Sequence, residues 1–305
     1  VTSETKSPYS NLAIISDLTG TLVRQRADGF PESRRNIIRQ LIDAAAFFCI
    51  ITNDSLEAAE EFFISPLGPV SKPYFVVSGG GYVGHQIDGG KFQKLFEGRS
   101  IEVNSRQILG EHVSRILGSV VGKTPVLPVA KDQASERTSI ADLNKSFGEL
   151  SFFESTPSKV AVFFLDKPVV SQLQEQIFDA IENDAPIRDI VANKKLYVTR
   201  GANYLDITSC VKSEGFSALS SNVASKSYEL SNRRFIVLGD SWNDRDLLLY
   251  NYQSNQAVTR VFVGENTKLA AEIEQKFPTQ LQFIKAGYVE AAEQFLAQLV
   301  TAKFC

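Results

Sequence analysis

The chain has 305 residues, more than a single hydrophobic core usually organises, so two domains are expected. A hydrophobic fraction of 43% and a charged fraction of 22% are ordinary for a soluble globular protein. The formal net charge of -3 provides no basic field for gripping nucleic acid or an anionic membrane.

Residues 12–16 are a short apolar run ending at Asp17 and a Thr-Gly-Thr turn, which suits a buried parallel strand. Residues 31–46 carry a helical pattern, with Ile37, Ile38, Leu41 and Ile42 on one face and Pro31 near the start. A second buried strand over residues 47–51 ends at Thr52. A helix over 56–63 and a third strand over 74–77 follow. This alternation predicts an α/β fold with a doubly wound parallel sheet.

After Gly81 the rhythm changes. Asp88-Gly89-Gly90 predicts a hairpin turn, and residues 105–117 a helix carrying Ile108, His112 and Ile116. Residues 123–150 have weak periodicity. A strand at 160–165, an amphipathic helix at 169–181 and a strand at 196–199 complete a smaller α+β domain, placed at 85–199. The alternating pattern then returns, with a helix opening at 211–219, strands at 235–238 and 261–264, and a closing helix at 290–299. The first domain is therefore expected over 1–84 and 200–305, with 85–199 inserted into it.

Cys49, Cys210 and Cys305 are odd in number and far apart. Cys49 lies in an apolar run and reads as a small core residue, which favours a reducing, cytoplasmic setting. Residues 1–10 are polar and lack the apolar stretch of a signal peptide. The densest apolar run, residues 44–51, is too short to span a bilayer.

Ligands of open parallel sheets bind beyond the carboxyl ends of the strands. Asp17, Thr52, Lys212 and Asp240 fall at or near that edge, and their types suit phosphoryl transfer. A carboxylate can attack phosphorus and form an aspartyl phosphate. A second carboxylate can share a Mg²⁺ with it, and the ion neutralises charge on the phosphoryl oxygens. Lys212 can stabilise the same charge and hold the nucleophile ionised, while the Thr52 hydroxyl can donate to a phosphoryl oxygen.

Ile15-Ser16-Asp17-Leu18-Thr19-Gly20-Thr21-Leu22 resembles the first motif, D-x-D-G-T-L, of the haloacid dehalogenase (HAD) phosphotransferases. Ile50-Ile51-Thr52 resembles the second motif, Tyr204-Leu205-Asp206-Ile207 with Val211-Lys212 the third, and Gly239-Asp240-Ser241-Trp242-Asn243-Asp244 the fourth, G-D-x-x-N-D. The insertion falls where the family places a C2-type cap, and the match is best to class IIB, the Cof-like and sucrose-phosphatase-like branch. The resemblance implies Asp17 as nucleophile and Mg²⁺ ligand, the Thr19 backbone carbonyl and Asp240 as further ligands, and Asn243 and Asp244 as supports. It implies a small phosphorylated metabolite, by similarity a sugar phosphate, as substrate, and a cap that closes over the site.

The sequence departs from the family at Thr19, where a second aspartate usually protonates the leaving group and then activates water. A threonine hydroxyl has no suitable pKa for either task. Two functions follow: an enzyme that forms the aspartyl phosphate and hydrolyses it slowly, or a non-catalytic phosphometabolite-binding or regulatory protein. On the first, Thr19→Asp raises hydrolysis. Asn53-Asp54 after Thr52 and Ser213-Glu214-Gly215 after Lys212 also depart from the common Gly-Arg and Lys-Gly.

Simpler roles compete with these. Asp17 and Thr52 can cap turns or helices, Lys212 can be a solvated helix-end lysine, and Asp244 can favour its own helix dipole. Residues 79–84 fit G-x-G-x-x-G, but a dinucleotide site needs a helix where the sequence predicts a hairpin. Residues 118–124 end in Gly-Lys-Thr one residue short of a P-loop and read as a loop. His85 and His112 are too few and too isolated for a metal centre.

Overall fold

The computed structural model describes residues 11–24, 30–121, 151–164, 168–200, 204–224, 228–255, 257–285 and 288–301. The expected irregular segment at 123–150 and Cys305 lie outside these. The chain divides into one compact unit made of residues 1–97 and 212–305 and a second made of residues 98–211.

The first unit is built on an eight-stranded sheet. In chain order its strands are β1 (Leu12–Ser16), β2 (Phe47–Ile51), β3 (Tyr74–Ser78), β4 (Val83–Asp88) and β5 (Lys91–Glu97). After the second unit come β10 (Arg234–Gly239), β11 (Val258–Val263) and β12 (Leu281–Ile284). Their spatial order is β12-β11-β10-β1-β2-β3-β4-β5, parallel from β12 to β3 and antiparallel through β4 and β5. The chain winds outward from β1 through β2 and β3, then from β10 through β11 and β12. The winding direction therefore reverses between β1 and β10, the point where such sheets open a crevice.

Apolar residues run continuously along these strands because both faces are covered. Ile14, Ile50, Val76 and Leu238 pack on one side with α1 (Glu32–Ala44) and the closing helix Tyr288–Thr301. Ile15, Cys49, Val77 and Val237 pack on the other with the helices Lys212–Ala224 and Thr267–Lys276. A half-buried ion pair, Arg34 Nη2 to Glu293 Oε2 at 2.9 Å, joins the two helices of the first face. The helix expected over 56–63 begins as Leu56–Ala59, passes through a π turn at Glu60–Ile64 and ends at Leu67.

The second unit pairs β6 (Ser151–Ser155), β7 (Lys159–Phe164), β8 (Tyr197–Arg200) and β9 (Tyr204–Thr208) as an antiparallel sheet in the order β6-β7-β9-β8. Helices Val103–Val121, Pro168–Asn183 and Ala185–Lys194 bury Leu109, Val113, Ile177, Phe178, Ile181 and Ile187 with Val160, Val162, Leu205 and Ile207 of the strands.

The domain edges differ from expectation, moving from 84/85 and 199/200 to 97/98 and 211/212. The turn at Gly89-Gly90 has positive φ at both glycines (53° and 77°), as a tight hairpin demands, so β4 and β5 extend the first sheet. At the other edge β9 pairs with β7 and β8, which keeps the Tyr204–Ile207 motif region in the second unit. Residues 118–121, expected in a loop, end a helix. Among the described residues no helix is long and apolar enough to cross a membrane.

Candidate active site

β1 ends where Asp17 N donates to Leu238 O of β10 at 3.0 Å, which carries the ladder one residue past the strand. The chain then folds back on itself: Leu22 N and Val23 N both donate to Leu18 O, and Gly20 N donates to Val23 O. Gly20 makes this turn possible. Its φ is +91°, and a Cβ there would overlap Asp240 Oδ2. The turn thus brings backbone against the carboxylate that follows β10, and two acids 223 positions apart become neighbours.

Thr21 lies between them. Its hydroxyl is 3.2 Å from Asp17 Oδ2 and 2.9 Å from Asp240 Oδ1. A hydroxyl has one proton to donate, so it satisfies one carboxylate at a time. Asp17, Asp240 and Asp244 each offer an oxygen within 4.8 Å of the others.

Lys212 opens the helix Lys212–Ala224, whose first turn is held by Ser213 N donating to Asp246 Oδ2 at 2.6 Å. Gly215 lets this helix lie directly against the backbone of Gly81. The Lys212 side chain is 1% exposed, and its Nζ donates to Asp17 Oδ1 and Asp244 Oδ1, both at 2.5 Å. Asp244 also accepts through Oδ2 from Asp240 N and Ser241 N, at 3.0 and 3.1 Å. It therefore caps its own short helix and anchors the lysine at once. Asn243 accepts from the Ser241 hydroxyl and shapes the same loop.

Three carboxylates face one ammonium, so the cluster, fully ionised, carries two uncompensated negative charges. Burial, and then the charge of Asp244, push Asp17 up to about 7 against the pull of Lys212. Burial and the charges of Asp244 and Asp17 raise Asp240 well above its ordinary value. Burial alone would lower Lys212, but the charges of Asp17 and Asp244 outweigh it and hold the lysine protonated. Hard oxygen donors with an excess charge of minus two fit a divalent cation such as Mg²⁺. Asp17, Asp240 and Asp244 each offer an oxygen that could hold one, and Asp17 and Asp240 share the Thr21 hydroxyl. The Thr19 carbonyl accepts no backbone hydrogen bond among the described residues.

Thr19 and Thr52 leave the same sheet edge, because Ser16 of β1 lies beside Ile50 of β2. Their hydroxyls converge on one carboxylate oxygen, Asp54 Oδ2, at 2.7 and 3.0 Å. The Thr52 hydroxyl also accepts from Asp54 N at 3.1 Å. Asp17, Thr19, Thr52, Lys212, Asp240, Asn243 and Asp244 are thus gathered at one end of the parallel strands. Asp206 lies in β9 of the second unit. Thr21 and Asp54 belong to the group without having been singled out; Thr21 stood inside the first motif, and Asp54 only as a departure after Thr52. His85 sits in β4 of the first unit and His112 in the helix Val103–Val121 of the second.

A family model described as haloacid dehalogenase-like hydrolase matches residues 14–258. The chain belongs to that family and is a hydrolase of the haloacid dehalogenase type. Among solved structures it resembles trehalose-6-phosphate phosphatase of Aspergillus fumigatus, with 13% identity and a TM-score of 0.50, over 96% of this chain and 94% of that one. It also resembles IMP-bound IMP-nucleotidase of Plasmodium falciparum, with 13% identity and a TM-score of 0.54, over 96% and 68%. A protein of Eubacterium rectale aligns at 16% identity and a TM-score of 0.51, over 95% and 99%. At these identities the likeness is one of fold. No curated protein matches the chain.

Proposed function

We propose that this chain is a Mg²⁺-dependent phosphohydrolase that acts on a small phosphorylated metabolite through an aspartyl phosphate on Asp17. The observation that carries the proposal is the placement of Asp17 at the switch point of the sheet, with Lys212 on one oxygen and the Thr21 hydroxyl, shared with Asp240, on the other. The family supports hydrolysis. The names of two fold neighbours, one a sugar-phosphate phosphatase and one a nucleotidase, support a phosphate monoester and favour a small soluble one.

Asp17 attacks phosphorus, the bond from phosphorus to the ester oxygen breaks, and water later cleaves the acyl phosphate. Lys212 favours the ionised form of Asp17 against its burial and the charge of Asp244, and it stabilises charge gathering on the phosphoryl group. A Mg²⁺ held by Asp17, Asp240 and the Thr19 carbonyl would neutralise that group's charge. Asp244 fixes the lysine, and the Ser241-Asn243 pair fixes the loop that carries Asp240.

The test is turnover of p-nitrophenyl phosphate and a panel of sugar and nucleoside monophosphates with and without Mg²⁺. Activity should require Mg²⁺ and vanish in Asp17→Asn. Metal-independent turnover, or turnover that survives Asp17→Asn, would overturn the proposal. A folded protein that binds these esters and turns over none of them would instead be a phosphometabolite-binding member of the family.

A further inference from the structure

An aspartyl-phosphate route moves two protons. The departing ester oxygen needs one as its bond to phosphorus breaks, and the attacking water must lose one as it reaches the acyl phosphate. Neither Asp17, which is covalently engaged, nor Lys212, which is held protonated between two carboxylates, can serve both steps. A threonine hydroxyl at position 19 has the wrong acidity. What the structure places against that hydroxyl is a carboxylate from the next loop, Asp54, with Oδ2 at 2.7 Å from Thr19 Oγ1.

The simpler explanations of Asp54 do not account for it. The helix that begins at Leu56 is capped by Ser55, whose side chain accepts from Ala58 N at 3.2 Å, so Asp54 is not spent on capping. Its backbone carbonyl is held by Gly79 N at 2.8 Å, which fixes the loop without using the side chain. The side chain is half-buried and turned back toward the first motif. Thr19 and Thr52 both donate to Oδ2, so the carboxylate is oriented by two fixed hydroxyls and Oδ1 is left outside those bonds.

We infer that Asp54 is the proton-transfer carboxylate of this site, standing in from the β2 loop for a carboxylate that position 19 lacks. The inference rests on the phosphohydrolase function proposed for the same site. In the first step Asp17 bonds to phosphorus, the ester oxygen departs with its electron pair, and protonated Asp54 gives it a proton. In the second, water bonds to phosphorus while the Asp54 carboxylate takes its proton. The bond from phosphorus to the Asp17 oxygen breaks, and phosphate leaves with both residues restored. Thr19 and Thr52 are positioning residues that aim Asp54.

The test compares two esters in single-turnover and burst experiments with Mg²⁺-loaded protein. p-Nitrophenolate leaves without a proton, whereas the alkoxide of glucose 6-phosphate does not. In Asp54→Asn the burst of p-nitrophenolate should keep its rate within a few-fold, and phosphoenzyme should then accumulate. Phosphorylation by the sugar ester should fall by about 10²–10⁴-fold. Thr19→Asp in the Asp54→Asn background should recover most of that loss, a rescue that a merely structural role of Asp54 would not give. Thr19→Asp alone, which the sequence by itself predicts to be faster, should instead be no faster than wild type, because it sets a second anion against Asp54. Equal slowing of both esters, or no slowing of either, refutes the role of Asp54 and leaves the phosphohydrolase function standing. A wild type inert toward both esters refutes that function and the role of Asp54 with it.

Discussion

Lys212→Met deletes an ammonium that lies almost wholly out of contact with solvent. The three side chains involved, Lys212, Asp17 and Asp244, are 1%, 5% and 0% exposed. A buried ion pair is often no more stabilising than an apolar pair of the same shape, but removing one partner strands the other and costs about 3–5 kcal/mol. Here two carboxylates are stranded by one deletion, so the upper part of that range is expected, against a total stability of about 5–15 kcal/mol for a typical domain. The single tryptophan, Trp242, sits in the loop beside Asp240 and reports unfolding of this unit by fluorescence in urea. Saturating Mg²⁺ should return part of the loss, since a ligand at 100 times its Kd adds about 2.7 kcal/mol. In an Asp17→Asn background the cost of Lys212→Met should shrink, because one of the stranded charges is already gone. A loss below about 1 kcal/mol, or the same loss in both backgrounds, would refute the account of this cluster.

Asp240→Asn should raise the melting temperature of the metal-free protein and abolish its shift with Mg²⁺; burial and neighbouring charge disfavour this carboxylate, and the amide removes that cost with the ligand. A lowered melting temperature would contradict this. His85 is 8% exposed, and burial, then the charge of Lys94, hold it below 6.5 against the opposing charge of Glu57. A histidine so depressed contributes stability that is present above 6.5 and lost as the pH falls through its folded value. The raised carboxyls Asp17 and Asp240 act with the opposite sign, so the reading is the difference between proteins: the urea midpoint of His85→Leu relative to wild type should move in the variant's favour from pH 7 toward pH 5, and an unchanged difference counts against it. Gly215→Ala would gain helix propensity of about 1 kcal/mol in free solution. A Cβ at this position overlaps the Gly81 backbone, which cannot rotate away, at a cost of about 1–3 kcal/mol, so no gain and a net loss of up to about 2 kcal/mol is expected by urea unfolding.

The sheet was legible because its strands are short, apolar and bounded by turn residues, and because strand and helix alternate. What composition and periodicity could not fix was membership. The β4–β5 hairpin continues the first sheet and β9 joins the second, and both assignments depend on which strand edges remain to be paired. Residues 85–97 are largely polar along β5, so no apolar run marks them as the flank of the larger sheet. The π turn at Glu60–Ile64 was equally silent, since its apolar residues repeat much as those of an ordinary helix do.

The candidate site was legible residue by residue and illegible as a set of bonds. Asp17, Lys212 and Asp240 could be named because each ends a strand or opens a helix at the same edge. Asp244 could not be split between cap and support, and the structure shows that it is both, with one oxygen for the lysine and one for the loop. Position 19 shows where motif reading stops. Taken alone, Thr19 makes the site look impaired, because the sequence displays a missing carboxylate and gives no sign that the next loop bends back to it. The bend is made by Gly79 N and Gly80 N, which donate to Asp54 O and Thr52 O and close the end of β2 onto the turn after β3. On the role proposed for Asp54, a loss at one position and a gain 35 residues later are a single feature of the folded chain, joined by one hydroxyl–carboxylate bond. Competence at this strand edge is accordingly a property of two loops together, and a variant of Thr19 has meaning only when the state of Asp54 is specified with it.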